Sequence, residues 1–331
     1  MKVHFFERKT VPPFVSIEKL FSVLKLQLNT LGVETVSFKN PYSLKNMLQS
    51  LRYFRKNQGE ITHITGDIHW VALALNPKTT VLTIHDLAGL QYLKGIRKKI
   101  YYYLWIYLPI RKLTYITVIS EKTKSEIVQL LPWASKKITV ISNCLTIPLP
   151  ENFEKTKNSI PKLLIVGTRS NKNIENAIKA LNDIPCELHI VGDIAKEQID
   201  YLKGHKITYT IYSDIDENDL IQLYKNADVL LFPSLYEGFG LPILEAQAYQ
   251  CAVITSNISP MKEVAGNGAV LVNPYAVDEI ANAIITVLKN DKLKEELIQK
   301  GLLNVKKYEP KLIAQCYLDL YQKILSENGF N

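Results

Sequence analysis

The strongest constraint on this chain is a rhythm. Short apolar runs alternate with longer segments of helical periodicity, six times before about residue 150 and six times after it. The first set reads KVHFF, ETVSF, ITHIT, TTVLTIH, YITVIS and KITVIS; the second reads LLIVG, ELHIVG, ITYTIY, DVLLFP, AVITS and AVLVN. A strand with one wet face alternates apolar and polar residues, whereas runs this continuously apolar suit strands buried on both faces, as in a parallel sheet covered by helices. The intervening segments supply those helices. SIEKLFSVLKLQLNTLG opens on Ser16, a residue suited to an N-cap, and stops at Gly32; SEKTKSEIVQLL opens on Ser120 and ends before Pro132.

A polar stretch with Pro148, Pro150 and Pro161, NCLTIPLPENFEKTKNSIPK, separates the two sets and reads as a linker. With 331 residues, about two domains are expected. The predicted fold class is therefore α/β: two Rossmann-like domains, residues 1–150 and 151–310, with parallel sheets facing across a cleft. The final segment KLIAQCYLDLYQKILSEN (311–328) is amphipathic and is expected to cross back onto the first domain. No repeat of 20 to 50 residues and no low-complexity tract competes with this organisation.

Cys144, Cys186, Cys251 and Cys316 are widely spaced and form no CxxC pair, which fits reduced thiols. The opening MKVHFFERK reads as a strand rather than a signal peptide, and no apolar run approaches the roughly 20 residues of a bilayer span. A cytoplasmic protein is expected, with possible contact to the inner membrane face. Charge divides unevenly: residues 1–150 carry 21 Lys plus Arg against 8 Asp plus Glu, and the remainder 19 against 24, giving +13 and −5 within the overall +8. A basic half admits nucleic acid, an anionic membrane, an acidic substrate or simply a solvated surface. No helix-turn-helix, RNP or zinc signature supports nucleic acid. LKGIRKKIYYYLWIYLPIRK (93–112) mixes cations with aromatics, as either a partly buried helix or a patch for anionic lipid.

In open parallel sheets ligands bind beyond the carboxyl ends of the strands. GTRSNKN (167–173) offers Gly167 for close approach and the cations Arg169 and Lys172, a phosphate site or a solvated basic loop. SLYEGFGLPILEAQAYQ (234–250) offers more. Gly238 and Gly240 permit a sharp turn, and Pro242 suits the first position of a helix. The amides of Phe239, Gly240 and Leu241 would then point outward at the positive end of the helix dipole. Glu245, one turn in, could accept from a ribose diol, and Glu237 from a sugar hydroxyl; the alternative is a tight turn with solvated acids. Helix dipole, Arg169 and Lys172 together could neutralise a diphosphate, so no metal and no cofactor is required. Two features imitate metal sites. DID (214–216) is expected to start a helix at Asp216, and His63, Asp67 and His69 in HITGDIHW to line a strand end and turn.

The segment KNADVLLFPSLYEGFGLPILEAQAYQCAVITSNISPMKEVAGNGAVLVNP, with LLIVGTRSNKNIENAIKAL upstream, resembles the retaining GT-B glycosyltransferases of family 4, the group 1 glycosyltransferases. It includes their paired glutamates eight residues apart, here Glu237 and Glu245. In the first domain, VLTIHDL, TVISEKTKSEI and VISN are similar to the family's strand ends. The resemblance implies a nucleotide-sugar held by the second domain, a glycan or lipid-linked acceptor held by the first, and metal-free transfer with retention in polysaccharide or glycolipid assembly. It implies that Arg169 and Lys172 bind the diphosphate, Glu245 the ribose, and Glu237 with residues Gly238, Phe239, Gly240 and Leu241 the donor sugar. His85 would face the reacting sugar and Asp86 would lie in the acceptor or sugar pocket. The donor would be a UDP-, GDP- or TDP-sugar. Three positions depart from the pattern: ERKTVPPFVSIEK lacks the usual Gly-Gly pair, leaving Arg8, Lys9 or Ser16 for that role; Gln250 replaces a glycine; and Thr168 stands where arginine is frequent. A catalytically silent sugar-nucleotide binder, a sugar-nucleotide epimerase and a nucleic-acid-binding protein are the competing readings.

Overall fold

The computed structural model describes residues 1–9, 16–43, 46–150 and 153–329. Each apolar run named above forms a strand in it, and every pairing is parallel. The first sheet contains β1 (Lys2–Glu7), β2 (Glu34–Lys39), β3 (Ile61–Ile64), β4 (Thr80–Ile84), β5 (Tyr115–Val118) and β6 (Ile138–Val140), in the order β2-β1-β3-β4-β5-β6. The second contains β7 (Lys162–Val166), β8 (Glu187–Val191), β9 (Thr208–Tyr212), β10 (Val229–Phe232), β11 (Ala252–Ser256) and β12 (Ala269–Val272), in the order β12-β11-β10-β7-β8-β9. The continuous apolar runs have their cause here: every residue of β3, β4, β10 and β11 is buried. In each sheet the winding direction reverses once, between β1 and β3 in the first and between β7 and β10 in the second. Such reversals open a crevice at the carboxyl ends, where ligands bind.

The chain divides into two units, Met1–Thr146 with Tyr308–Asn331, and Ile147–Lys307. Within the first, the helix Pro310–Glu327 buries Ile313, Tyr317, Tyr321 and Ile324 against Leu20, Phe21, Leu24 and Leu28 of the helix Ser16–Thr30. Full burial of each such side chain contributes about 1.5–3 kcal/mol. The N-cap of Ser16–Thr30 lies outside the described residues, and Ser16 itself is already helical. Ser120 does cap the helix Glu121–Leu130, its hydroxyl accepting from the Thr123 amide at 3.2 Å. Three of the four free cysteines are buried and Cys316 is exposed. No described helix is long and apolar enough to cross a membrane.

His63 lies in this core and takes no part in the strand-end surface. Its Nδ1 meets the Tyr321 hydroxyl at 2.6 Å and its Nε2 the Thr83 hydroxyl at 2.7 Å, and Thr83 continues to Thr117 at 2.6 Å. Burial pushes its pKa down to about 3. His69 is also buried, donates from Nδ1 to the Trp105 carbonyl at 2.8 Å, and is pushed down to about 4. Because both folded values lie below that of an unfolded imidazole, the unfolded chain binds more protons in the window from about 6.5 down to about 4. The associated stability is complete above about pH 6.5 and is lost as pH falls. The melting temperature should therefore drop by several degrees from about pH 7 to about pH 5; a value unchanged across that range would contradict neutral, buried His63 and His69.

Candidate functional site

In the second unit the loops after β7 and β10 meet at the reversal of the sheet. After β7 the backbone turns at Gly167, whose φ of +86° is left-handed. The left-handed turn favours glycine, and a β-carbon there would also crowd the Lys172 Cε at 3.0 Å, so a side chain would have to displace the lysine. Arg169, exposed, precedes the short turn Ser170–Lys172. Thr168 packs against Gly192. Lys172 folds back over the Phe232 ring, 4.4 Å from its centre, and its Nζ lies 2.8 Å from the Glu237 carboxylate. Both partners are mostly covered, with side chains 16% and 14% exposed. The phosphate-site cation and the sugar-site acid of the sequence analysis thus form one ion pair.

Asn171 joins the two loops. Its side-chain nitrogen donates to the Tyr236 carbonyl at 2.9 Å and to the Glu237 carboxylate at 3.4 Å, while its main-chain carbonyl accepts from the Leu235 amide at 2.7 Å. Asn173, itself left-handed, donates to the carbonyls of Pro233 and Pro274 at 3.0 and 2.6 Å. An Asn between two cations gave no periodic or motif signal, and only the folded loops reveal its bridging role. Gly238 and the buried Phe239 complete the corner.

The corner ends at Gly240, with φ +114°, and the helix Leu241–Ala248 begins at Leu241. Pro242 is therefore the second helical residue rather than the first; the Ile243 amide bonds back to the Gly240 carbonyl at 3.0 Å, and proline at the second position still forfeits no intrahelical bond. Glu245 is only 7% exposed and accepts from the Tyr224 hydroxyl at 2.8 Å. Tyr224 was not visible as a site residue in the sequence; burial and the adjacent Glu245 carboxylate drive its phenol pKa well up, so it remains a proton donor. Gln250 takes the left-handed conformation usually left to glycine, φ +56°, and is held there by its side chain donating to the Phe153 carbonyl at 2.9 Å.

In the first unit the ends of β1, β3 and β4 are tied together. Arg8 binds Glu18 through two nitrogens, at 2.7 and 3.2 Å, which raises the guanidinium pKa. Gly66 packs on Arg8, where a β-carbon would come within 3.3 Å of its side chain. His85 donates from Nε2 to the Thr65 carbonyl at 2.8 Å. Burial pushes its pKa to about 4, with the Thr65 bond and Asp86 acting the other way. The ring is therefore neutral at pH 7 with Nδ1 as its acceptor nitrogen. Asp86 accepts from the Ala88 amide at 2.8 Å, fixing the turn after β4. Asp67 is exposed at its residue surface, with protein packed around its carboxylate. Loss of surrounding water there raises its pKa to about 6, against the pull of Arg8 and with a push from Asp86. A depression of about 510 Å³ beside Glu18 is walled by Glu7, Lys19, Lys25, Ser37 and Lys39. Lys9 lies within the described residues and residues 10–15 outside them, so the loop replacing the Gly-Gly pair is only partly seen.

The two metal-like motifs have other roles. Asp216 caps the helix Glu217–Asn226, accepting from the Asp219 amide at 2.9 Å. His63 and His69 are separate buried residues, and no metal-competent group of three ligands occurs among the described residues.

Comparison with known proteins supplies the deciding observation. Residues 150–303 match the family model described as glycosyl transferases group 1, and residues 29–147 the model described as glycosyltransferase family 4. The chain belongs to the group 1, family 4 glycosyltransferases. O-antigen chain mannosyltransferase B of Escherichia coli is 29% identical over 216 residues, 58% of this chain and 56% of that protein, so the match spans about half the length of this curated relative. A glycosyltransferase from Rickettsia africae superposes with a TM-score of 0.75 at 18% identity, covering 98% of each chain. Anabaena HepE, solved in complex with UDP and glucose, gives 0.71 at 16%, covering 97% of this chain and 99% of that one. These likenesses establish the GT-B fold.

Tyr224→Phe deletes a hydrogen bond to a buried carboxylate and should lower stability by about 1.5–3 kcal/mol. A melting temperature equal to wild type would show that Glu245 does not depend on Tyr224.

Proposed function

We propose that the protein is a retaining, metal-independent glycosyltransferase that moves a sugar from a nucleoside diphosphate to a glycan or lipid-linked acceptor. The observation that carries this reading is the Lys172–Glu237 pair, set beside Gly167 and Gly240 at the reversal of the second sheet. Lys172 and Arg169 are the cations for the diphosphate, Glu245 the acceptor for the ribose diol, and Glu237 with the backbone at residues 238–241 the sugar-holding corner. The acceptor is assigned to the strand ends of the first unit, around His85 and Asp86. A mannosyl donor is one candidate, by likeness to the mannosyltransferase relative, and UDP is a candidate carrier, by likeness to HepE. Work on an O-antigen-type polysaccharide is a further candidate, by likeness to the same mannosyltransferase.

In the proposed step the bond between the anomeric carbon and the diphosphate oxygen breaks. The acceptor hydroxyl oxygen bonds to the same face of that carbon, and its proton passes to the departing phosphate. The protein supplies position and charge, which in such reactions account for most of the rate. A neutral His85 can accept a sugar hydroxyl but holds no proton to donate from Nδ1, so the rate should be insensitive to His85 titration above about pH 5.

Release of nucleoside diphosphate from a panel of UDP-, GDP- and TDP-sugars, with and without acceptor, tests the reading. Glu245→Ala should mainly weaken donor binding, seen as a smaller ligand-induced rise in melting temperature. Glu237→Ala should mainly lower turnover, and a chelator should leave wild type active. Wild-type turnover in both variants would refute the assignment, and conversion of donor without acceptor would favour an epimerase.

A further inference from the structure

We infer that the surface formed by residues 92–103 of the first unit, extended by Trp133, docks the protein onto an anionic lipid bilayer. Soluble proteins seldom gather large apolar side chains in water at one place. Here Ile96, Ile100 and Tyr103 are 69%, 48% and 51% exposed, and Tyr92 just before them is 59% exposed. Ile96, Ile100 and Tyr103 recur at the spacing of one helical face, in the helix Gly95–Tyr101 and the wider turn Tyr102–Tyr107 that continues it. Lys94, Arg97, Lys98 and Lys99 are exposed among them, and none has an ion-pair partner among the described residues. No Asp or Glu occurs between Leu87 and Ser120. An apolar row flanked by unneutralised cations is the composition of a segment that lies in the headgroup region of a membrane rather than across it.

The aromatic continuation fits the same occupant. Rings run from Tyr103 to Tyr107 at 5.8 Å and from Tyr107 to Trp133 at 6.2 Å, with Trp133 47% exposed. Arg111 lies over Tyr107 and Lys137 over Trp133, each within 6 Å, around a depression of about 310 Å³. Amphipathic rings with adjacent cations suit the boundary between headgroups and acyl chains. A protein partner would need matching acidic pockets; a bilayer rich in anionic lipid supplies negative charge above an apolar layer without any.

The patch is fastened to the strand ends. Tyr101 packs so closely on Gly89 that a β-carbon there would collide with its ring, and it stacks on Trp105 at 5.6 Å. Trp105 donates to the Asp67 carbonyl at 3.2 Å and accepts from His69 at 2.8 Å. The segment also follows directly from the turn of His85 and Asp86. Docking would therefore bring the strand ends of the first unit to the lipid surface, where a lipid-linked acceptor presents its sugar.

The test is co-sedimentation of the full chain with phosphatidylcholine vesicles, with and without phosphatidylglycerol. Binding is expected only with phosphatidylglycerol and should fall steeply as salt is raised. Lys98→Glu with Lys99→Glu, and separately Ile96→Asp with Ile100→Asp, should each weaken it by about tenfold or more. These exposed positions should leave the melting temperature unchanged. If the isoleucine variant fails to fold, the lysine variant and the salt dependence decide. Absence of wild-type binding to anionic vesicles, equal binding to both vesicle types, or variants that bind like wild type would overturn the inference. No nucleotide-sugar enters this assay, so its failure would leave the glycosyltransferase reading standing, and failure of that reading would leave vesicle binding to be judged alone.

Discussion

A parallel strand covered by helices on both faces can present a functional side chain only at its ends. That burial organises both units of this protein. The central strands have no wet face, so the residues able to meet a ligand fall into the loops beyond their carboxyl ends, above all where winding reverses. In the second unit that point gathers Gly167, Arg169, Asn171 and Lys172 from one loop and Glu237, Gly238 and Gly240 from the other. In the first it gathers Arg8, Thr65 to Asp67, and His85 with Asp86.

The Lys172–Glu237 pair shows how such an edge is prepared in advance. An exposed lysine would sample many rotamers, each lost on binding a phosphate. Here the chain is held over Phe232 and beside Gly167, Glu237 holds the head, and Asn171 donates in turn to Glu237. The pair is mostly covered, so its contribution lies between the ~1 kcal/mol of a surface pair and the ~3–5 kcal/mol lost on breaking a buried one. A diphosphate arriving at Lys172 would compete with Glu237, freeing that carboxylate to accept from a sugar hydroxyl.

The positions of the strands along the chain and of the corner were legible because they rest on local chemistry: apolar runs, glycine and a proline near a helix start. What escaped the sequence depends on contacts between distant residues. Tyr224 is recognisable only by its hydroxyl on Glu245, 21 positions away, and Asn171 only by the loop it meets 65 positions later. Gln250 looked like a broken helix end, yet it occupies the left-handed turn because Phe153 offers a carbonyl. His63 seemed available at a strand end, but strand parity turns it inward to Tyr321 and Thr83. The segment 93–112 carried its cations and rings openly; whether they faced water or core could not be read without exposure.

The central claim is that the second unit holds a nucleoside diphosphate between the loops after β7 and β10. Photo-crosslinking with azido-substituted UDP and GDP, followed by peptide mapping, addresses it most directly. The account predicts label in peptides from the second unit containing residues 167–173 or 234–250, suppressed by excess unmodified nucleotide-sugar and weakened in Glu245→Ala. Competable label confined to peptides of the first unit, or no competable label with either nucleotide, would contradict it.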